Sequence, residues 1–215
     1  MKKQCLINRV AVIVAHPDDE TIWAGGLLLA HLGWDLFIAT ISRASDGERA
    51  PKFFRVLERL GAEGAMADLD DGPEQAPLVQ DEIQATILSM LPQRDYDLVL
   101  THGPRGEYTR HLRHEETCRA VIALWKEGII RAKGLWMFAY EDGGGQRLPK
   151  AEAGAHLEID LSEAVWNEKR ALITSQYGFA PKSWEARAAP RKEAFWWLAS
   201  PDEADEWLRK GRIPP

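Results

Sequence analysis

The chain has 215 residues, 45% of them apolar and 28% charged, with a net charge of −6 and a pI near 5.6. This is long and apolar enough for one hydrophobic core and excludes a disordered class, and its acidity argues against a general nucleic-acid binder, which needs clustered Lys and Arg. Cys5 and Cys118 lack the spacing of a disulfide framework or a thiolate zinc site, no apolar run is long enough for a membrane span, and Met1-Lys2-Lys3 has no secretory apolar segment behind it, so the expected setting is reducing and cytoplasmic.

The first predicted element is a strand over 8–14. Its run Val10-Ala11-Val12-Ile13-Val14 is continuously apolar, as in a strand buried on both faces. It leads into Ala15-His16-Pro17-Asp18-Asp19-Glu20 and a helix over 20–32 that carries Ile22, Trp23, Leu27 and Leu28 and stops at Gly33. A strand over 34–41 follows, then a helix over 51–60 with Pro51 at its start and Phe53, Leu57 and Leu60 on one face. A weaker strand lies near 64–69, and a helix over 80–91 places Ile83, Ile87 and Met90 at helical spacing. A strand over 97–101 precedes a helix over 113–127 with a stripe of Cys118, Val121, Ile122 and Trp125. Strands over 135–140 and 156–161 flank the loop Gly143-Gly144-Gly145. Ser162 caps a helix that runs to Gln176, and Ser200-Pro201-Asp202-Glu203 opens a last helix in capping-box order, with Gly211 as its stop.

Strands separated by helices predict an α/β fold, a Rossmann-like three-layer sandwich with a mostly parallel sheet and helices on both faces. One domain spans 1–215, with 180–215 as a Trp-rich extension packed on it. Within that stretch Phe195-Trp196-Trp197-Leu198 reads as core or subunit contact in preference to a sugar platform, which makes a homo-oligomer one expected assembly.

The chemistry concentrates after the first strand. In an open parallel sheet, ligands bind at the carboxyl ends of the strands. There His16 offers a neutral imidazole nitrogen, and Asp18 and Asp19 are unlikely neighbours to point the same way, so one can ligate a metal while the other stays free as a base. Capping of the following helix would explain either Asp alone, but capping has no use for His16. A third ligand must come from another strand end. The segment 101–114, with His102, His111 and His114, follows the strand at 97–101 and holds half of the chain's six histidines. His114 lies on the inward stripe of the next helix's first turn, where the helix N-terminus disfavours a protonated ring.

At these residues the chain resembles the zinc-dependent deacetylase family named after PIG-L and LmbE, whose members remove acetyl groups from N-acetylglucosamine-type amides. The opening signature Ala-His-Pro-Asp-Asp-Glu stands unchanged at 15–20, and the resemblance continues through 106–114 and Lys169 to Ser175-Gln176. It implies a Zn2+ cofactor held by His16, Asp19 and His114, Asp18 as general base, and His111 as the group that steadies the oxyanion or protonates the leaving amine. One departure is evident: where the family has His-Pro-Asp-His, this chain has His111-Leu112-Arg113-His114. Ligand spacing survives, and a local charge is reversed beside His111.

Weaker expectations concern substrate contacts at Arg43, Arg55, Asp70, Asp71 and Arg105, with Asp46 and Arg110 near the same edge. The partner implied is a small N-acetylated molecule. Alternatives are an amidase for another small N-acyl conjugate and a non-catalytic binding module that retains the fold.

Overall fold

The computed structural model describes residues 7–210; Met1-Lys2-Lys3, Cys5 and Gly211 lie outside the described residues. In chain order the elements are β1 (Arg9–Val14), α1 (Asp19–Ala30), β2 (Asp35–Thr40), α2 (Arg49–Leu60), β3 (Glu63–Met66), α3 (Gln80–Met90), β4 (Leu98–Thr101), α4 (Leu112–Lys126) and β5 (Leu135–Phe138). Two short strands follow, β6 (Tyr140–Glu141) and β7 (Lys150–Ala151), then β8 (Leu157–Asp160), α5 (Glu163–Ala171) with a π-helical continuation Leu172–Gln176, α6 (Trp184–Ala188), β9 (Lys192–Leu198) and α7 (Pro201–Lys210).

The sheet has the order β3-β2-β1-β4-β5-β9-β8. Its first five strands are parallel, and β9 pairs antiparallel with both β5 and β8. The mostly parallel sheet is thus as expected. The helices pack in two groups, α1 with α5 and α2 against the π-helical turn, and α3 with α4 and α4 with α7. Among the described residues no helix is long and apolar enough to cross a membrane.

The sequence reading had no strand at 192–198 and no helix at 184–188. Residues 180–215 were expected as an extension packed on the domain, but β9 lies inside the sheet, between β5 and β8. Phe195, Trp196 and Leu198 are core, and Trp197 alone of that run faces out, 54% exposed. The strand was hidden because its second residue, Glu193, is a charge that is fully buried.

Glu193 explains how α1 lies so close to the sheet. Its carboxylate accepts the Gly26 and Leu27 amides, both at 2.7 Å, and pairs with Lys169 Nζ at 2.7 Å. Lys169, also fully buried, donates to the Pro190 carbonyl at 3.1 Å. A Cβ on Gly26 would stand 2.3 Å from Leu161 Cδ2, so any larger residue there would have to displace the Leu161 side chain. The caps expected at Ser162 and Ser200 are present: Ser162 Oγ accepts the Val165 amide and Ser200 Oγ the Glu203 amide.

This order decides where a site can form. From β1 the chain first moves outward through β2 and β3, then returns to place β4 on the other side of β1. The loops after β1 and β4 therefore diverge across the sheet at the point where the strand order reverses, which leaves a crevice.

Candidate active site

Pro17 and Asp18 make the turn from β1 into α1. Asp18 has φ 133° and ψ −27°, a conformation that side-chain-bearing residues rarely adopt and that costs on the order of 1–3 kcal/mol. Buried Glu20 supports the turn, accepting the Asp18 amide at 3.1 Å, the Thr21 hydroxyl at 2.6 Å and the Tyr177 hydroxyl at 2.6 Å. Although Asp18 is the N-cap residue of α1, its side chain caps nothing. Its Oδ2 accepts instead from Arg49 Nη1 at 2.7 Å. Asp19 points elsewhere, taking Trp23 Nε1–H on Oδ1 at 3.2 Å and the His16 amide on Oδ2 at 2.9 Å. Helix capping thus accounts for neither carboxylate.

Three side-chain atoms converge from the two loops. His16 Nδ1 and Asp19 Oδ2 are 3.0 Å apart, His16 Nδ1 and His114 Nε2 are 3.2 Å, and His114 Nε2 and Asp19 Oδ2 are 3.4 Å. A tetrahedral ion with bonds of about 2.0–2.1 Å sets its ligands roughly 3.3–3.4 Å apart, so this triangle has nearly the edges such an ion requires. Burial pushes the His16 imidazole down, but hydrogen bonds and charge from Asp19 and Asp71 outweigh it and raise the ring to about 10. The carboxylates call for a cation, which a divalent metal can provide in place of that proton.

Both imidazoles are oriented by carboxylates behind them. His16 Nε2 faces Asp71 Oδ1 at 3.1 Å, and Asp71 is itself gripped by Arg43 Nη2 at 2.5 Å and Gln75 Nε2 at 3.0 Å. His114 Nδ1 faces Glu107 Oε2 at 2.5 Å, which leaves Nε2 free to ligate. Glu107 also receives His102 Nδ1 at 3.0 Å and the Gly103 amide at 2.7 Å. Burial pushes this carboxylate up, but the two histidines hold it down at about 2. Gly103 is needed here, since a Cβ would lie 2.6 Å from the Phe138 carbonyl oxygen.

His102, stacked on His114 with ring centroids 3.8 Å apart, belongs with Asp19 and His114 to a second set of atoms close enough to share an ion. Its nitrogens are already engaged: Nε2 accepts the Ala15 amide at 2.9 Å and Nδ1 faces Glu107. Burial disfavours its charge while Glu107 and Asp19 favour it, moving the ring up to about 9. A proton on Nε2 would nevertheless meet the Ala15 N–H head-on, so the backbone contact keeps this ring neutral and in a supporting place.

His111, the N-cap residue of α4, sits at the mouth. Its ring stacks on His114 at 4.3 Å and meets His16 edge-on at 4.8 Å, and the three form another metal-capable set. Its buried Nδ1 has no hydrogen-bond partner among the described residues. Burial, then the neighbouring His114 and His16, lower it to about 3, so the ring is neutral. Burial and the Asp19 charge raise Asp18 well above the ordinary carboxylate range, against the opposing pull of Arg49.

The other expected contacts divide. Arg43 and Asp71 reach the site through His16, and Arg43, at φ 69°, lines a cavity of about 350 Å³ with Asp46 and Asp68. Asp46 receives the Glu48 and Arg49 amides. Arg55 is exposed on α2, and Arg49, at the start of the same helix, approaches Asp18 in its place. Arg105 is 68% exposed and paired with Glu152, and Arg110 is 80% exposed and paired with Glu115. The Asp70 side chain is 61% exposed. Arg113 does not turn toward the histidines. Fully buried, it donates to the Asp70 carbonyl at 2.5 Å and the Ala76 carbonyl at 2.7 Å, and pairs with Glu116. It thereby fastens the loop that presents Asp71 to His16. Arg49, His102 and Glu107 were not assigned from sequence; the Gly-Glu-Tyr string at 106–108 was the available signal for Glu107.

Comparison with known proteins bears on the family and the fold. The sequence model of one family, described as PIG-L: GlcNAc-PI de-N-acetylase, matches residues 11–125, over half the chain. Protein L374 of Acanthamoeba polyphaga mimivirus, uncharacterized, is 25% identical over 60% of this chain and 61% of its own length, so the chain spans less than two thirds of it. The 1D-myo-inositol 2-acetamido-2-deoxy-alpha-D-glucopyranoside deacetylase of Corynebacterium glutamicum is 25% identical over 83% of this chain and 76% of that enzyme. Among solved structures, N,N'-diacetylchitobiose deacetylase from Pyrococcus horikoshii superposes with a TM-score of 0.68 at 14% identity, covering 90% of this chain and 84% of the other. GalB, a 4-carboxy-2-hydroxymuconate hydratase from Pseudomonas putida, superposes with a TM-score of 0.58 at 16% identity, covering 89% and 96%.

Proposed function

The chain belongs to the PIG-L, GlcNAc-PI de-N-acetylase family, and on that premise we propose that it is a metal-dependent hydrolase that removes the N-acetyl group from a small amino-sugar-type substrate. His16, Asp19 and His114 would hold the ion, and two nitrogens with one carboxylate oxygen at tetrahedral spacing favour zinc. The observation that carries the reading is the 3.0, 3.2 and 3.4 Å triangle, with a second buried carboxylate on the adjoining residue that takes no part in the triangle and is held by Arg49.

A zinc ion bound there supplies Lewis acidity toward the amide carbonyl and makes water a stronger acid. Asp18 takes the proton from the attacking water, burial and the neighbouring Asp19 charge making it a stronger base than an ordinary carboxylate. Arg49 orients that carboxylate and its charge favours the ionised form. His111, neutral and with a partnerless Nδ1, can offer an N–H to the oxygen that gains charge during attack. Breakage of the C–N bond releases acetate and the free amine, the nitrogen taking as it leaves the proton that Asp18 removed from water, which returns Asp18 to its carboxylate form. A neutral His111 supports the hydrogen-bonding role over that of a strong acid.

The test joins metal analysis to assay. Purified protein should contain about one divalent ion per chain, release acetate from N-acetylated glucosamine derivatives, lose turnover with a chelator and recover it with Zn2+. Asp18→Asn should lower kcat by about 10²–10⁴-fold while metal content is kept. Full turnover in that variant removes Asp18 as the base, and failure to bind any divalent ion removes the whole reading.

A further inference from the structure

Among the described residues, the non-glycine positions with a positive φ are Asp18, Arg43 and Gln75, at 133°, 69° and 46°. Such angles are disfavoured for any residue with a Cβ and persist where the surroundings impose them. All three gather at the site. Arg43 lies in the loop after β2 and Gln75 in the loop after β3, and both side chains end on one carboxylate. Arg43 donates to Asp71 Oδ2 from Nε at 3.0 Å and from Nη2 at 2.5 Å, and Gln75 Nε2 donates to Asp71 Oδ1 at 3.0 Å. The same Gln75 nitrogen donates to the Gly72 carbonyl at 3.1 Å, so it faces two acceptors and the amide cannot be turned over. Asp71, its side chain 8% exposed, then presents Oδ1 to His16 Nε2 at 3.1 Å.

We propose that Arg43 and Gln75 are positioning residues for the metal site, acting through Asp71 on His16. This rests on the reading of His16 as a metal ligand. An imidazole that ligates through Nδ1 is aimed by the group its Nε2–H donates to, and a carboxylate on a loop aims well only when its own rotation is stopped. Arg43 and Gln75 stop it by holding one oxygen each, one from the neighbouring loop and one from Asp71's own. The two loops are also tied directly: the Ala44 amide donates to the Ala67 carbonyl at 3.0 Å and the Ser45 amide to Asp68 Oδ1 at 2.7 Å. Stability does not account for the unfavourable angles. Glycine would adopt them at no steric cost, and the Arg43 side chain is 46% exposed, where an ion pair adds little. What the two side chains secure is the direction of the His16 ring. Arg43 is thereby separated from the substrate-contact role expected of it, because its Nε and Nη2 are spent on Asp71.

Arg43→Gly and Gln75→Gly relieve the backbone and remove the side chain together, so metal affinity and stability should part company. Zn2+ affinity of the metal-stripped protein, read by competition with a chromophoric chelator, should weaken about 10–100-fold in the double variant. The thermal midpoint of the metal-free double variant should stay level or rise. Arg43→Lys, which keeps the charge, should retain more affinity than Arg43→Gly. Asparagine at both positions tolerates positive φ with a shorter side chain; it should show the same loss of affinity and decides the matter where a glycine variant fails to fold. Unchanged affinity in the double variants, or a lower midpoint with affinity intact, overturns the positioning role. So does a rise in KM alone at unchanged Zn2+ affinity, which would make Arg43 a substrate contact. Absence of any divalent-ion binding by the unmodified protein removes the ligand reading of His16 and this role with it, whereas normal binding by the unmodified protein and its variants alike removes this role only.

Discussion

Asp18 opens α1 with its backbone and leaves its carboxylate unused by the helix, while Asp19 turns the opposite way toward the histidines. Two adjacent acids can take different tasks here because the residue between strand and helix adopts φ 133°. Behind them Glu107 has the most consequential contacts of any carboxylate in the site: it bridges two imidazoles and is wholly buried. Its hydrogen bond selects the tautomer of His114 that leaves Nε2 open. Glu107→Gln keeps the shape but lets a neutral amide oxygen or N–H face His114. Metal affinity should weaken about 10–100-fold, as read by competition with a chromophoric chelator. Unchanged affinity would show that His114 needs no such orientation.

At the scale of elements, the site depends on α1 staying pressed to the sheet, and that contact is polar at its centre. Glu193 on β9 reaches into the middle of α1, and Lys169 on α5 neutralises it. Removing one member of such a pair strands a buried charge. Lys169→Met should therefore cost about 3–5 kcal/mol in urea-unfolding experiments, and adding Glu193→Gln should recover part of it. A loss below 1 kcal/mol for the single variant would mean that the two amides alone satisfy Glu193. The segment 70–78 shows a comparable arrangement, with buried Arg113 and Glu116 on α4 fixing the loop that carries Asp71. The basic residue in the His-x-x-His string is thereby explained by a loop, and the partnerless Nδ1 of His111 is consistent with the missing acid.

For the whole molecule, the strand order opens a crevice between the diverging loops after β1 and β4, and it does so whatever reaction follows: a hydratase shares this architecture, so the chemistry must be argued from the site. The opposite end of the sheet also contributes to acid stability. There Asp97 accepts the Asn8 and Arg9 amides at 2.9 Å and pairs with Lys133, and the Lys133 contact and the amides hold it at about 2 against an ordinary 3.8. A depressed carboxylate stabilises the fold fully above its unfolded value, and the benefit disappears as pH falls through the folded one. Asp97→Asn should be less stable than the unmodified protein at neutral pH and should show less further loss between about pH 4 and 2, monitored by circular dichroism; parallel acid profiles would count against this. The mostly parallel sheet, the helices other than α6, the ends capped by Ser162 and Ser200 and the cluster at 15–20 were legible in the sequence, because apolar periodicity, caps and strand-end motifs are local signals. β9 was not legible, since Glu193 looks like a surface charge until the α1 amides and Lys169 are brought to it from distant segments. Nor could sequence choose Arg49 over Arg55, assign Glu107 its two histidines or turn Arg113 away from His111. Those outcomes depend on where separate segments meet in space, and buried charge is tolerated only where that meeting supplies its partners.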